Sequence, residues 1–248
     1  MMTDPSKPVV AVTGASRGIG HAIVRHFHRQ GWNVITLART PFSTQCPWAE
    51  GIIHHIEVDL SDPGSITDAA DKLKRMLDGH GLSALVNNAG ISPKCGDGGR
   101  MGALVTPLAT LLSVQQVNLV APLQLCQELL EPLKARQGAV VNITSIAGSR
   151  VHPFAGAAYA VSKAALSALT RELAYDLAEY GVRVNAIAPG EIETSILSPG
   201  TDRIIEAQVP MKRLGRPEEV AEVVYFLASG QASYVTGSEI HINGGQHV

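Results

Sequence analysis

The sequence predicts an α/β fold in which a seven-stranded parallel sheet is covered by helices on both faces. Short apolar runs of strand type alternate with longer segments of helical periodicity. Repeated β-α-β units form parallel sheets of this kind, and right-handed crossovers make the fold doubly wound, of Rossmann type. The predicted strands are 8–13, 33–38, 52–58, 83–87, 139–144, 182–188 and 238–242, and the predicted helices are 18–30, 63–78, 107–134, 157–180 and 217–229.

Length and composition favour one domain. The chain has 248 residues, of which 45% are hydrophobic and 17% charged, enough to bury one large core. We therefore expect a single dinucleotide-binding domain over 1–248, with loop segments near 91–106 and 191–214 beside the substrate. The formal charge of −2 provides no basic field for nucleic acid.

Cysteine spacing and hydropathy indicate the cellular compartment of the protein. Cys46, Cys95 and Cys126 lack C-x-x-C spacing, which predicts free thiols and neither a disulfide framework nor a metal site. The first residues contain no apolar signal core, and we expect no uninterrupted apolar stretch long enough to cross a bilayer. A soluble cytoplasmic protein without a membrane partner is predicted.

A glycine-rich turn follows the first strand. Residues 13–20 read TGASRGIG, and a helical pattern begins within them. Glycines let the backbone bend tightly and approach a pyrophosphate, whose charge is met by the free N–H groups and the positive dipole end of the helix. A lone glycine-rich loop is weak evidence, but its place between strand and helix favours a dinucleotide site.

Tyr159 and Lys163 stand four residues apart in a helical segment, and Ser145 ends the apolar run 139–144. Positions i and i+4 share a helix face, so the ammonium is expected to lower the pKa of the phenol. Ser145 would hold a substrate oxygen while the tyrosine exchanges its proton. A bare Y-x-x-x-K also occurs by chance on helix surfaces, so this interpretation depends on the glycine turn.

Further polar and turn-forming residues follow predicted strands. Asp59, Asn87, Ser145 and the pair Pro189-Gly190 each stand where a strand ends. In open parallel sheets, ligands bind beyond the carboxyl ends of the strands. The alternative is that Asn87 and Pro189-Gly190 are ordinary turn formers.

Taken in order, these motifs resemble the short-chain dehydrogenase/reductase family, of the NAD(P)-dependent oxidoreductase type of about this length, from Val9 to Gly245. The resemblance implies a catalytic set of Asn118, Ser145, Tyr159 and Lys163. The cofactor-binding positions that it implies are Gly14, Ser16, Arg17, Gly18, Ile19, Gly20, Arg39, Asp59, Leu60, Asn87, Ala89, Gly90, Tyr159, Lys163, Pro189, Gly190, Ile192 and Thr194.

The resemblance also implies which part of the cofactor each region meets. Asp59 and Leu60 would flank the adenine, and Asn87 with Gly90 would lie at the adenosine ribose and nearby backbone.

At the other end of the cofactor, Thr194 and the backbone of Ile192 would meet the nicotinamide. Lys163 would hold the ribose hydroxyls, and the backbone carbonyl of Asn118 would anchor a water that relays protons.

Charge at the end of the second strand predicts NADP(H) as the preferred cofactor. NAD-binding folds place an acid there for the ribose 2'-hydroxyl, while a nearby arginine accommodates a 2'-phosphate. Ala38 cannot accept this hydroxyl, and Arg39 with Arg17 could pair with phosphate. NAD(H) remains the alternative, with both arginines as solvated surface residues.

The predicted function is NADP(H)-dependent interconversion of a ketone or aldehyde with a secondary or primary alcohol. A 3-oxoacyl-carrier-protein reductase is one alternative, but the expected docking positions, Ala139 and Tyr175, carry no positive charge. Others are an NAD-dependent alcohol or sugar dehydrogenase, with His152 and Glu191 as polar substrate contacts, and a nucleotide-binding redox sensor.

The resemblance further suggests the oligomeric state. It implies a homotetramer, or a homodimer, packed through the helical segments 107–134 and 157–180 and the C-terminal strand.

Overall fold

The computed structural model describes residues 6–42, Cys46, Ala49, 53–194 and 200–248. One sheet of seven parallel strands has the order β3-β2-β1-β4-β5-β6-β7. The predicted fold class is confirmed. Residues 1–5, position 52 of the third predicted strand and 195–199 of the second predicted loop lie outside the described residues. The strands are β1 Val9–Thr13, β2 Asn33–Ala38, β3 His54–Glu57, β4 Ala84–Asn87, β5 Ala139–Ile143, β6 Arg183–Pro189 and β7 Glu239–Ile242.

The helices that connect the strands begin and end close to the predicted positions, with one exception described next. They are α1 Gly18–Arg29, α2 Pro63–Leu77, α3 Leu108–Gln115, α4 Ala121–Glu128, α5 Leu130–Arg136, α6 Ala157–Ala178, α7 Thr201–Gln208 and α8 Pro217–Ala228.

The segment predicted as one helix over 107–134 is interrupted. A π turn over Gln116–Val120 separates α3 from α4, and α5 follows after Leu129. The predicted loop 191–214 contains α7, and the predicted loop 91–106 contains a short 3-10 turn over Ala103–Val105. The apolar pattern continues through the π turn, so periodicity alone does not reveal the interruption.

Alternate residues of the strands enter two separate apolar cores. Val10 and Val12 of β1 face the core that α1 and α8 cover. Val9 and Ala11 face the opposite core, which contains buried residues of α2, α4 and α6. Both faces of the sheet are therefore buried, as expected for a parallel sheet.

The order of the strands reverses between β1 and β4, which are neighbours although two strands intervene along the chain. A crevice for ligands is expected outside the carboxyl ends at such a point. Thr13 ends β1 and Asn87 ends β4, so the glycine turn and the segment after β4 meet there.

One helical stretch, Leu108–Glu128, is long and apolar enough to cross a bilayer by length and composition. Its best window has a mean hydropathy of 1.2, and 33% of it is buried. The stretch contains polar residues such as Gln115, Gln116 and Asn118, so it is not an uninterrupted apolar run. Core helices of soluble proteins satisfy the same criterion, so this stretch is weak evidence for a membrane span.

Candidate active site

The glycine turn is packed so tightly that larger residues do not fit. Gly14 has a φ of +65°, and a Cβ there would lie 2.7 Å from the Ala89 Cα. A Cβ on Gly20 would lie 2.3 Å from the Gly14 carbonyl oxygen and 2.4 Å from the Asn88 Nδ2. Both glycines therefore serve close approach of the turn to the segment that follows β4.

Asn88 and Thr13 hold these two segments together. The Asn88 Nδ2 donates to the carbonyl oxygens of Thr13 and Gly14, both at 3.0 Å. The Thr13 Oγ1 accepts the N–H of Asn88 at 3.0 Å and that of Ala89 at 3.1 Å. The sequence analysis assigns no role to Asn88, although it directly follows Asn87 at the end of β4.

The first turn of α1 is suited to an anion. Arg17 precedes the helix in extended conformation, its side chain makes no cap hydrogen bond, and the first turn contains no acidic residue. The first N–H groups of a helix lack intrahelical partners and carry the positive end of the dipole. The Thr194 Cγ2 lies 3.3 Å from where a Gly18 Cβ would be. Thr194 thus lies beside the glycine turn, at a helix N-terminus of the kind that binds anions.

Two more residues of this turn take different positions. Ser16 is half-buried within it, and Ile19 packs against the core beneath α1. We infer that Ile19 serves packing with its side chain, which leaves its backbone for a ligand.

The predicted adenine end is exposed and charged. The Asp59 Oδ1 accepts from the Ser61 N–H at 2.9 Å and from the Ser61 Oγ at 2.7 Å. These hydrogen bonds, followed by the charge of Arg39, lower the pKa of Asp59. The Leu60 carbonyl oxygen accepts from the Gln116 Nε2 at 3.4 Å. Arg39 and Asp59 are therefore electrostatic neighbours at the ends of β2 and β3.

Asn87 is buried and turned into the sheet. Its Nδ2 donates to the Asn142 Oδ1 at 2.9 Å, and the side chain also bonds the Cys126 thiol. Burial raises the pKa of that thiol to about 12. The Asn87 Nδ2 is therefore engaged between β4 and β5, while its Oδ1 is buried without a hydrogen-bond partner in the described part of the chain. All three cysteines are free, as predicted.

Ser145, Tyr159 and Lys163 come together beyond the carboxyl end of β5. Ser145 starts a short 3-10 turn, where its Oγ accepts the Ala147 N–H at 3.1 Å, and it hydrogen-bonds the Tyr159 side chain. The Lys163 Nζ lies 5.7 Å from the centroid of the Tyr159 ring. It donates to the Ile143 carbonyl oxygen at 2.6 Å. The two hydroxyls therefore face one point, with the lysine behind them.

The pKa values of this cluster differ from the expectation. Burial raises the pKa of Tyr159, and the Ser145 hydrogen bond acts in the opposite direction. Burial also lowers the pKa of Lys163 to about 8. The lysine does not lower the tyrosine pKa here, because its ammonium is bonded to a backbone carbonyl rather than to the phenol. Tyr159 is partly exposed, which limits how far burial raises its pKa.

Asn118 lies in the π turn and is fully buried. Its Oδ1 accepts the Ile91 N–H at 2.9 Å, and its Nδ2 donates to the Ile91 carbonyl oxygen and the Ser162 Oγ, both at 3.0 Å. The side chain thus joins the segment after β4 to α6, beside Lys163. Sequence reasoning gave Asn118 a backbone role and missed this bridging. π turns occur frequently at functional sites.

The segment after β6 is fixed against β7. A Cβ on Gly190 would lie 2.6 Å from the Asn243 Cβ, and the Gly190 N–H donates to the Ile242 carbonyl oxygen at 3.0 Å. Pro189 is the last residue of β6, and buried Ile192 forms a bridge with Gly215. This packing directs the chain toward Thr194 and the glycine turn.

Comparison with known proteins agrees with this arrangement. A family model described as "Enoyl-(Acyl carrier protein) reductase" matches residues 14–247. The chain belongs to the short-chain dehydrogenase/reductase family and is an oxidoreductase that works with a nicotinamide cofactor.

Several proteins and solved structures are similar to this chain. Protein FixR of Bradyrhizobium diazoefficiens is 55% identical over 97% of this chain and 87% of its own length. The 3-oxoacyl-[acyl-carrier-protein] reductase FabG of Aquifex aeolicus is 38% identical over 96% of both chains. An oxidoreductase from Brucella ovis, crystallised with a partially ordered NAD, is 53% identical with a TM-score of 0.83, over 96% of this chain and 100% of that one.

Proposed function

We propose that the protein interconverts a ketone or aldehyde with the corresponding alcohol, using NADP(H), with Tyr159 as the general acid and base. The observation that carries this proposal is the hydrogen-bonded pair of Ser145 and Tyr159, with buried Lys163 beside it at the carboxyl ends of the strands. Two hydroxyls at one point are suited to polarising a carbonyl oxygen.

Each residue of the cluster has a distinct task. Ser145 holds the substrate oxygen by a hydrogen bond, and Tyr159 gives this oxygen a proton in reduction and removes it in oxidation. Lys163 is assigned to the nicotinamide ribose beside the phenol rather than to lowering the Tyr159 pKa, because its ammonium donates to the Ile143 carbonyl oxygen. A bound nicotinamide cofactor supplies the hydride in reduction and accepts it in oxidation.

The chain offers a continuous set of groups for this cofactor. The uncapped N–H groups at the start of α1 would hold the pyrophosphate, and Thr194 closes the same crevice. Gly90 lies beside the Lys163 Nζ, 3.4 Å from where a Gly90 Cβ would be. A ribose at this point would meet the lysine ammonium.

A substrate panel tests the proposed activity. Aldehydes, ketones, β-ketoacyl thioesters and polyols are offered with NADPH or NADP⁺, and the absorbance of NADPH is followed. We expect turnover of at least one carbonyl class. A protein that quenches NADPH fluorescence but converts nothing in the panel would instead be a nucleotide-binding sensor.

NADP(H) is the proposed cofactor because Arg39 follows β2, where no carboxylate stands. We expect kcat/KM to be higher with NADPH than with NADH. Arg39→Ala should lower kcat/KM for NADPH about 10- to 100-fold, because a charged hydrogen bond to phosphate is lost, and change that for NADH little. Arg29→Ala, at an exposed position of α1, is the control.

NAD(H) is the competing cofactor because relatives from Brucella were crystallised with NAD. A wild-type preference for NADH that Arg39→Ala leaves undiminished would contradict the proposal.

A second candidate activity is reduction of 3-oxoacyl groups on a carrier protein, since several relatives bear that name. The sequence analysis took Ala139 as a docking position for the carrier protein and noted that it carries no positive charge. This position was wrong, because Ala139 is buried in β5 and cannot face a partner. The last turn of α5 instead carries Lys134 and Arg136. Acetoacetyl thioesters of coenzyme A and of a carrier protein, both added to the panel, separate this activity from the first.

We further propose a homotetramer assembled through α3 and α6. Leu108 and Leu112, one turn apart on α3, are 69% and 60% exposed, and Val161 on α6 is 55% exposed. Apolar side chains this open are suited to a second copy of the chain, which would also account for the apolar character of Leu108–Glu128.

The double variant Leu108→Asp, Leu112→Asp is expected to lower the mass in detergent-free buffer from tetramer to dimer or monomer, because it places charges in the proposed apolar contact. Light scattering after size exclusion measures this mass. Lys72→Asp, on the exposed face of α2, is the control. A monomeric wild-type protein would refute the proposed assembly.

A further inference from the structure

His152 and Glu191 form a buried polar pair that has no part in the chemistry described above. The His152 Nε2 and the Glu191 Oε1 are 2.5 Å apart, and the two side chains are only 12% and 8% exposed. His152 follows the turn that begins at Ser145, and Glu191 comes directly after Gly190. Because β5 and β6 are paired neighbours, the pair lies at the same edge of the sheet as the reacting hydroxyls.

The protonation and orientation of His152 follow from its contacts. The Phe154 N–H donates to the His152 Nδ1 at 3.2 Å, so Nδ1 is an acceptor. With Nδ1 as an acceptor, Nε2 is the ring donor to the Glu191 Oε1. The Arg100 Nε donates to the His152 carbonyl oxygen at 3.2 Å, and the Lys94 Nζ donates to the Phe154 carbonyl oxygen. His152 is therefore held on three sides.

Glu191 retains unused acceptor capacity. A carboxylate accepts several hydrogen bonds. Within the described part of the chain, its carboxylate has one donor, the His152 imidazole. The nearby cations Lys94, Arg100 and Arg150 bond backbone carbonyl oxygens instead. The Glu191 Oε2 is thus available to a donor carried by a ligand.

We propose that Glu191 binds a hydroxyl group of the substrate, with His152 as its positioning residue. The substrate is then a hydroxylated carbonyl compound, of the α-hydroxy ketone or aldose type, rather than a simple ketone or an acyl thioester. This inference rests on the proposed function and adds a substrate class to it. A fixed acceptor oxygen favours a substrate with a hydrogen-bond donor at this point over a substrate with an alkyl group there.

Matched substrate pairs test the assignment. The kcat/KM of acetoin is compared with that of 2-butanone, and that of glyceraldehyde with that of propanal. In the wild-type protein, the hydroxylated member should be favoured about 10- to 100-fold, the value of a hydrogen bond to a charged group. This ratio, unlike an absolute rate, does not change when part of the enzyme is unfolded.

Variants then assign the discrimination to Glu191. Glu191→Gln should lower the ratio about tenfold or more, because the charge of the acceptor is lost, and Glu191→Asp should give an intermediate ratio. Glu193→Gln, at an exposed position two residues further, should leave the ratio at the wild-type value. His152→Ala should lower the ratio, and His152→Gln, which retains a side-chain N–H donor, should restore part of it.

Several results would overturn the inference. If the wild-type protein has equal kcat/KM for both members of each pair, the proposed substrate class is wrong. The proposed function is not affected by this result. If Glu191→Gln leaves the ratio unchanged, Glu191 does not recognise the substrate hydroxyl. A stronger preference for aminoacetone over acetone would assign the acceptor to an ammonium group instead. Reduction of none of these carbonyls would overturn the inference, and reduction of no carbonyl in the full panel would overturn the proposed function as well.

Discussion

Replacing Tyr159 with phenylalanine is expected to lower the kcat of carbonyl reduction about 10²- to 10⁴-fold, the contribution of a positioned general acid. The substitution removes one oxygen and keeps the ring, so the fold of α6 is preserved. Binding of NADPH, measured by fluorescence titration, should change little. The effect is large because Ser145 alone remains to polarise the substrate oxygen, and a serine hydroxyl is a poor proton donor.

A matched control is available on the same helix. Tyr175 is 85% exposed on α6, and Tyr175→Phe removes the same oxygen far from the crevice. It should turn over like the wild-type protein. Substantial activity in Tyr159→Phe, or an equal loss in both variants, would contradict the assignment of Tyr159.

Replacing Lys163 with methionine should abolish most of the turnover and raise the free energy of unfolding at pH 7 by about 1 kcal/mol. Burial lowers the pKa of Lys163 from 10.5 to about 8, which corresponds to a cost of roughly 3 kcal/mol for the protonated lysine in the folded state. Loss of its hydrogen bond to the Ile143 carbonyl oxygen offsets about 1–3 kcal/mol of this gain. A site that is costly for stability is retained for function.

The sign of the pH dependence follows from the same pKa. Between about pH 8 and 10.5 the unfolded chain binds this proton and the folded chain releases it, so the wild-type protein loses the penalty as pH rises. The advantage of Lys163→Met should therefore shrink from pH 7 to pH 10. Urea unfolding at both pH values measures it, with Lys72→Met, exposed on α2, as the control. An advantage that is constant with pH would contradict the account.

Much of the fold was predictable because a doubly wound sheet requires short apolar strand segments to alternate along the chain with longer helical segments. The central strands β1 and β4 are short, buried and largely apolar, and β2 begins and ends where the sequence predicted. Tyr159 and Lys163 were predictable for the same reason, since helical spacing alone places them on one face. Ser145 followed from its place at the end of an apolar run.

Other features depend on contacts that no local pattern expresses. The π turn around Asn118 depends on packing of its side chain between Ile91 and Ser162, while the apolar sequence through it resembles one continuous helix. The inward direction of Asn87 depends on Asn142 of the neighbouring strand.

The pKa of Tyr159 was predicted in the wrong direction for a related reason. Spacing along a helix shows that a lysine and a tyrosine share a face, but it does not show which of them is desolvated. Burial dominates both pKa values here, and the Lys163 ammonium bonds the Ile143 carbonyl oxygen. The extent of burial is set by the whole fold and cannot be taken from the motif.

The most direct test of the central claim is a crystal structure with NADP⁺ and a bound substrate analogue. The account predicts the pyrophosphate at the glycine turn before α1, the nicotinamide ribose at Lys163, and the substrate oxygen about 2.6–3.2 Å from the Ser145 and Tyr159 hydroxyls. A nucleotide bound elsewhere, or a substrate oxygen out of reach of the Tyr159 hydroxyl, would contradict it.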